Sequence, residues 1–375
     1  MKKSLIAIAA LAAAGAAAAQ SSVTMYGQVN TGYEYSKTDI TTSRGKTTTK
    51  TTGFQNDQVK SSRLGFKGEE ALGNGLSATF ALEMGFDAAN GEFKTTKDKE
   101  GNKIATFNRK ATVGLKGAFG EVRIGKDSTP MNEFDGSFKA IDRTASLAQI
   151  DVNNDGEIKP KDDLDAAFTA RPAGLFYNGT FSGVSVSAAI GNNSERTKTE
   201  GVTTKKDDSA VYGLGLGYNG GAWAVGAAFQ HETKKGFDNT VSPVKAHDGK
   251  VTNYGVGASY DFTVAKLYGQ YKGGQYKNKM SVGGKYSYDQ FAIGVSAPFG
   301  ATTLSAEYAY NKAKDTAGAV STKYKGNVFA VQAEYAFSKR TSLVARAGQV
   351  ANWKNKTTND KSSTQEYTVG LRHKF

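Results

Sequence analysis

The chain has no cysteine, only five prolines and three histidines, and no long apolar run beyond its first twenty residues. Without cysteine there is no disulfide framework and no thiolate metal site, which is unremarkable for a protein of an oxidising envelope. His231, His247 and His373 fall at no metal-ligand spacing to one another, and no nucleophile motif accompanies them. Catalysis built on histidine therefore finds no support. With no further apolar stretch of ~20 residues, the body of the chain holds no transmembrane helix.

The residues that are abundant favour an extended, aromatic-rich β-protein: 44 glycines, 18 tyrosines and 20 phenylalanines. The opening MKKSLIAIAALAAAGAAAAQ joins Lys2 and Lys3 to an apolar run and to Ala17 and Ala19 at A-x-A spacing. It reads as a secretory signal peptide over residues 1–19, cleaved before Gln20. A membrane anchor fits less well, because the run is rich in alanine and short of the ~20 strongly apolar residues a spanning helix needs. The formal charge of +13 falls to +11 once Lys2 and Lys3 are removed. So basic a balance suits nucleic acid, an anionic surface, or a positively charged passage for small anions. Nucleic-acid binding would need a basic patch on a recognition fold, and the bases here are scattered.

The tail EYTVGLRHKF places Tyr367, Val369, Leu371, His373 and Phe375 on one face of a strand and Glu366, Thr368, Gly370, Arg372 and Lys374 on the other. SSVTMYGQVNTGYEYS repeats the pattern, with Val23, Met25, Val29, Tyr33 and Tyr35 opposed to Thr24, Gln28, Asn30 and Glu34. Sixteen such segments are counted along the chain. Short links such as EEALGNG, GAFG, NGG and PFGA, with turn-forming residues, alternate with long polar links. The long ones fall around 37–58, 88–106, 127–171, 191–209, 232–250, 273–287, 311–326 and 354–365.

This plan predicts an all-β fold, a 16-stranded antiparallel transmembrane β-barrel with turns at one end and loops at the other, spanning residues 20–375. In hydrocarbon every backbone group must be paired, so the last strand has to meet the first. Phe375 then falls at the membrane–water boundary, where aromatic residues belong. A secreted β-sandwich, adhesin or binding protein also alternates, but the segments show no Greek-key-length crossover. AVYGLGLGYNGG contains a formal GxGxxG at Gly215, Gly217 and Gly220, yet it lies in a strand and its turn and opens no helix. Small residues that leave lumen space explain it better than a dinucleotide site.

SSVTMYGQVNTGYEY, SSRLGFKGEEALGNGLSATFALEMGF, FNRKATVGLKGAFGEVRIGKDSTP, FSKRTSL and the terminal YTVGLRHKF resemble the trimeric general porins of β-proteobacterial outer membranes. SRLGFKGEEALGNGL is the most specific of these, and the resemblance covers essentially the whole chain after the signal peptide. It implies a homotrimer of barrels in outer-membrane lipid, and passive diffusion of small hydrophilic solutes and ions. It further implies no enzymatic step and no required cofactor. The third loop, 127–171, would fold into each lumen as the constriction. A solute-selective channel is the alternative within the same class.

From 127 to 170 that loop carries ten acidic and four basic residues. Strand parity sends bases to the lumen: with Leu64 and Phe66 outside, Arg63 and Lys67 face in, and so do Lys110, Lys116, Arg123, Lys266, Lys272, Arg346, Arg372 and Lys374. Arg109 is left on the outer face or in a bulge near the loop. Charge on the lipid face costs roughly 2–4 kcal/mol at the midplane, which favours these inward placements. An acidic loop opposite a basic wall sets a transverse field, with Arg63 and Arg123 as wall residues and Glu133 and Asp135 as their acidic counterparts. The excess of bases predicts a modest anion preference. The alternative is that the acids merely solvate an exposed loop.

Within the loop, DVNNDGEIKPKD has the ligand spacing of a calcium loop: Asp151, Asn153, Asp155, Glu157 through its carbonyl, and Asp162, with Gly156 for the turn. Asp162 replaces the usual bidentate Glu, Pro160 is out of place, and no helical pair flanks the segment. An acidic Asx-turn loop without metal is the alternative.

Overall fold

The computed structural model describes residues 22–57, 59–94, 96–97, 103–141, 150–152, 158–160, 171–199, 202–238, 245–278, 284–317 and 319–375. The predicted signal peptide lies outside them. The wall strands are β1 (Ser22–Thr42), β2 (Gly45–Asn56), β3 (Arg63–Gly73), β4 (Leu76–Phe86), β5 (Lys110–Gly117) and β6 (Gly120–Lys126). After the helix α1 (Pro130–Asp135) come β7 (Ala173–Phe181), β8 (Val184–Thr199), β9 (Val202–Asn219), β10 (Trp223–Asp238), β11 (Lys245–Asp261) and β12 (Lys266–Asn278). The wall is completed by β13 (Lys285–Phe299), β14 (Thr302–Ala317), β15 (Val320–Ala336), β16 (Thr341–Asn355) and β17 (Lys361–Lys374).

Except for β2 and β3, which do not pair with each other, consecutive strands pair antiparallel, and β17 pairs with β1 from Gln28 to Thr41, which closes the sheet. β2 and β3 share one edge of β1, β3 along Ser22–Gln28 and β2 along Thr31–Thr42, so together they make one broken stave. The result is the expected closed 16-stranded barrel. At the seam Gly27 N donates to Phe375 O at 3.1 Å and Phe375 N to Gly27 O at 3.2 Å. A Cβ on Gly27 would come within 2.7 Å of the Phe375 ring, so the glycine makes the room that the terminal aromatic fills.

The polarity is that of a membrane barrel, inverted relative to a water-soluble one. Tyr367, Val369 and Leu371 are exposed on the outside while Glu366 and Thr368 are buried inside. Val23, Met25, Val29 and Tyr33 are likewise exposed, opposite buried Gln28 and Asn30. Aromatics collect at the ends of the outer faces, Tyr218, Trp223, Tyr260, Phe299 and Phe337 at the turn end and Tyr212, Phe229, Tyr254, Phe291 and Phe329 at the loop end. Such paired girdles bound the apolar band of an outer-membrane barrel.

Among the described residues, several of the predicted long links continue as strand. Residues 37–56 belong to the β1–β2 hairpin, and the described parts of 191–209, 311–326 and 354–365 are mostly continuations of β8–β9, β14–β15 and β16–β17. Above the membrane both faces of a hairpin meet water, so the apolar alternation vanishes from the sequence. Pairing persists because it satisfies the backbone and because threonine suits a pleated surface.

The break in the second stave has a specific cause. Ser62 Oγ donates to Asn30 O at 3.1 Å and accepts from Asn30 N at 3.0 Å, and Asp57 N donates to the same carbonyl at 3.0 Å. Gln28 Nε2 and Asn30 Nδ2 reach Ser61 O and Lys60 O. The chain between β2 and β3 is thereby drawn into the lumen, carrying Lys60 with it and setting Arg63 at its exit.

Candidate pore constriction

After β6 the chain turns inward. Thr129 caps α1 by accepting from Asn132 N at 3.3 Å, and Pro130 occupies the first turn, where no N–H is needed. Met131, Phe134 and Phe138 make the buried apolar side of this segment, with Ala228 beneath them. Their seat is a patch of inward-facing glycines on β9, β10 and β11. Gly217, Gly226 and Gly257 form one hydrogen-bonded row, and Gly215, Ala228 and Gly255 the next. A Cβ would lie 2.3 Å from Phe134 on Gly255, 2.5 Å from Phe138 on Gly257, and 2.9 Å from Pro130 on Gly213. The loop touches bare backbone, which only glycine permits.

Polar anchors fix what the glycines receive. Glu307 Oε2 on β14 accepts from Ala140 N at 2.9 Å and Ile141 N at 3.0 Å. Gln270 Nε2 donates to Phe134 O at 3.3 Å. Asp135 bonds Lys139 at 2.8 Å and also Lys272 of β12. Burial alone would raise the Asp135 carboxyl, but Lys272 and then Lys139 outweigh it and hold the group well below the usual carboxylate range. Asp135 thus latches the loop to the wall.

The strands not covered by this segment carry most of the bases. Arg123 is buried, donating to Glu121 at 2.7 Å, Asp127 at 3.0 Å and Asn178 at 2.7 Å. Lys110 reaches the same fully buried Asp127 at 2.9 Å. Arg63 approaches Glu83 at 3.8 Å, and Arg109 bonds it at 2.6 Å. Arg109 is neither a lipid-facing residue nor part of a ladder: it sits in the bend before β5, where strand parity does not apply, and reaches the inward-facing Glu83. Arg171, next to β7, was not singled out from the sequence; burial and then the neighbouring Arg109 lower it to about 10.

Glu133 is open to the water of the lumen but enclosed by the wall. That enclosure, and then Asp127, push its carboxyl up, while Lys110, Arg123 and Arg171 pull it back. The structure brings Arg63, Lys110, Arg123 and Glu133 into this neighbourhood. Lys67 stands apart, 5.6 Å over the Tyr26 ring, and Lys116 bonds Glu69 at 3.0 Å towards the turn end. In the calcium-like segment, Ile150–Val152 pairs with Ile158–Pro160, placing the backbone of Asp151 opposite Lys159. Asn153, Asp155, Glu157 and Asp162 lie outside the described residues.

Near the seam a lumen cavity of about 360 Å³ is lined by Tyr26, Gln28, Lys60, Arg63, Arg372 and Lys374. Arg372 bonds Glu334, whereas Lys374 has no ion pair within 4.0 Å among the described residues. Four bases therefore converge on one water-accessible space.

A family model described as Gram-negative porin matches residues 5–358. The chain belongs to the Gram-negative porin family. This porin is 31% identical over 362 residues to outer membrane porin protein 32 of Delftia acidovorans, covering 95% of this chain and 90% of that protein. It is also 31% identical to the major outer membrane protein P.IB of Neisseria sicca, each chain being covered completely. Among solved structures it resembles the anion-selective porin from Comamonas acidovorans, with a TM-score of 0.65 and 23% identity over 95% of this chain and all of that one. The porin is accordingly an outer-membrane barrel, and its family is one of channels.

Proposed function

We propose that this porin is an anion-preferring passive pore, assembled as a homotrimer, with no reaction step and no energy coupling. The observation that carries the preference is the cavity of about 360 Å³ shared by Lys60, Arg63, Arg372 and Lys374. Arg63 approaches Glu83 and Arg372 bonds Glu334, so their charge is partly offset. Lys374 has no ion pair within 4.0 Å among the described residues, and the net field of the converging bases attracts an anion and repels a cation. The loop pinned on the opposite strands narrows the path, so passage is limited by size and sorted by charge. Trimer formation rests on the resemblance to trimeric porins, and a solved Vibrio cholerae barrel of this fold is described as a trimer form.

Swelling of liposomes containing the purified protein tests the passive reading. Small sugars enter at rates that fall with size and do not saturate, and a monovalent organic anion enters faster than a cation of equal size. In planar bilayers, conductance rises in sets of three. Saturable entry of one solute would favour the solute-selective alternative, and equal rates for the two ions would remove the anion preference.

A further inference from the structure

The outward face of β13 to β17 and β1 carries two features that the channel does not use. The first is a ladder of lysines at the loop end. Lys312 lies opposite Lys325, Lys325 opposite Lys354, and Lys354 opposite Lys361, while Lys314 lies opposite Lys323 in the next row. They alternate with buried, inward Ala313, Tyr324, Trp353 and Ser362, so their side chains point outward. None of the six has an ion pair within 4.0 Å among the described residues. Asp289 stands opposite Lys312 at one end of the row, but accepts from Tyr271 Oη at 2.6 Å. Like charges directly opposed across a ladder repel, which calls for a counter-charge.

The second feature is an apolar recess of about 760 Å³ on the same strands, nearer mid-barrel. Ala306, Ala333, Ala345 and Ala347 form its floor, with Tyr35 and Tyr367 at its margin. Ala306, Val331, Ala347, Tyr367 and Tyr35 are one register row across five strands. Tyr308 and Phe329 follow above it, and Lys312 stands six residues beyond Ala306, roughly 20 Å along the strand at ~3.4 Å per residue. The recess therefore sits at hydrocarbon depth, and the lysines sit beyond the aromatic girdle, at headgroup height. Lys312 Nζ caps the girdle itself, 5.6 Å over the Tyr310 ring.

We propose that this face is a binding site for a phosphorylated lipid of the outer leaflet, an acyl chain lying in the alanine-floored recess and the phosphates on the lysine ladder. The proposal rests on the outer-membrane placement but not on the pore's selectivity. The charge of one partner answers the repulsion built into the other, and small side chains open the groove where an acyl chain passes.

The test is binding to the full-length barrel in neutral detergent. The probes are lipid A bearing two phosphates, the same lipid dephosphorylated, and inorganic phosphate. A variant combining Lys312→Gln, Lys325→Gln, Lys354→Gln and Lys361→Gln loses roughly ten-fold or more in affinity for the phosphorylated lipid, in line with anionic-lipid attraction to basic clusters. Ala345→Leu, which fills the recess, weakens binding through the chain instead. Single-channel conductance of both variants stays at the wild-type value, which separates this site from the channel. Unchanged affinity in the lysine variant, equal binding of the dephosphorylated lipid, or displacement of the lipid by an equal concentration of inorganic phosphate would overturn the proposal. So would disulfide-linked copies of an Ala345→Cys variant in native membranes, because they would put a second chain on this face.

Discussion

Glu133 and Asp135 lie on one short helix, yet their carboxyls are driven in opposite directions. The lowered Asp135 contributes stability that is present above the usual aspartate range of about 4 and is lost only as pH falls through its depressed value. Its latch to Lys272 and Lys139 therefore holds through mild acidification. The raised Glu133 has the reverse sign: its contribution is present below the usual glutamate range of about 4.3 and is lost as pH rises through the raised value. On acidification from neutral pH, Glu133 is accordingly neutralised before an ordinary glutamate, removing one acid from beside Lys110, Arg123 and Arg171. The chloride-over-potassium permeability ratio should rise as pH falls from neutral towards the usual glutamate range. Glu133→Gln should start at the higher ratio and stay flat, and a wild-type ratio unmoved by pH would count against this. Parity made the inward placement of Arg63 and Arg123 legible in the sequence. The role of Asp135 was not, because its wall partner Lys272 is 137 residues away and only closure of the barrel joins them.

At the scale of elements, the strands were legible wherever one face meets lipid, since only there does water on one side and hydrocarbon on the other impose a period of two. The hairpin continuations at 37–58 and 191–209 carry no such contrast and read as loops. The glycine seat of the constriction segment left a weaker trace. Gly213, Gly215 and Gly217 alternate in AVYGLGLGY, and Gly255 and Gly257 in NYGVGASY, always on the lumen face. Two strands, β9 and β11, that both alternate glycine inward on either side of β10 are a signal for a docked segment, and the sequence alone does not say which. Gly257→Val tests the seat, since its first added carbon falls 2.5 Å from Phe138 and 2.9 Å from that residue's own Cβ. Overpacking of this kind costs about 1–3 kcal/mol. The displaced segment should raise single-channel conductance and its noise. Gly269→Val is the control, because a Cβ at Gly269 meets nothing within 4 Å. Equal conductance in the two variants would mean that the loop does not depend on the seat.

For the whole molecule, the terminal strand answers both to the membrane and to the pore. Its outward residues reach Phe375 at the seam, and its inward Arg372 and Lys374 help to line the basic cavity. Closure was legible from the need to pair every backbone group, whereas the cavity was not. Lys60 falls in VKSSRLGFKG, read from the sequence as a strand just past the 37–58 link, and it enters the lumen because Asn30 and Gln28 bind the chain between β2 and β3. The proposed anion preference of this passive pore rests on these converging bases. The most direct measurement is the reversal potential of the purified protein in a planar bilayer under a KCl gradient, with Arg63→Gln/Lys374→Gln measured beside the wild type. The wild type should show a chloride-directed potential that moves toward zero in the variant. A potassium-directed potential, or the same chloride-directed value in both proteins, would contradict it.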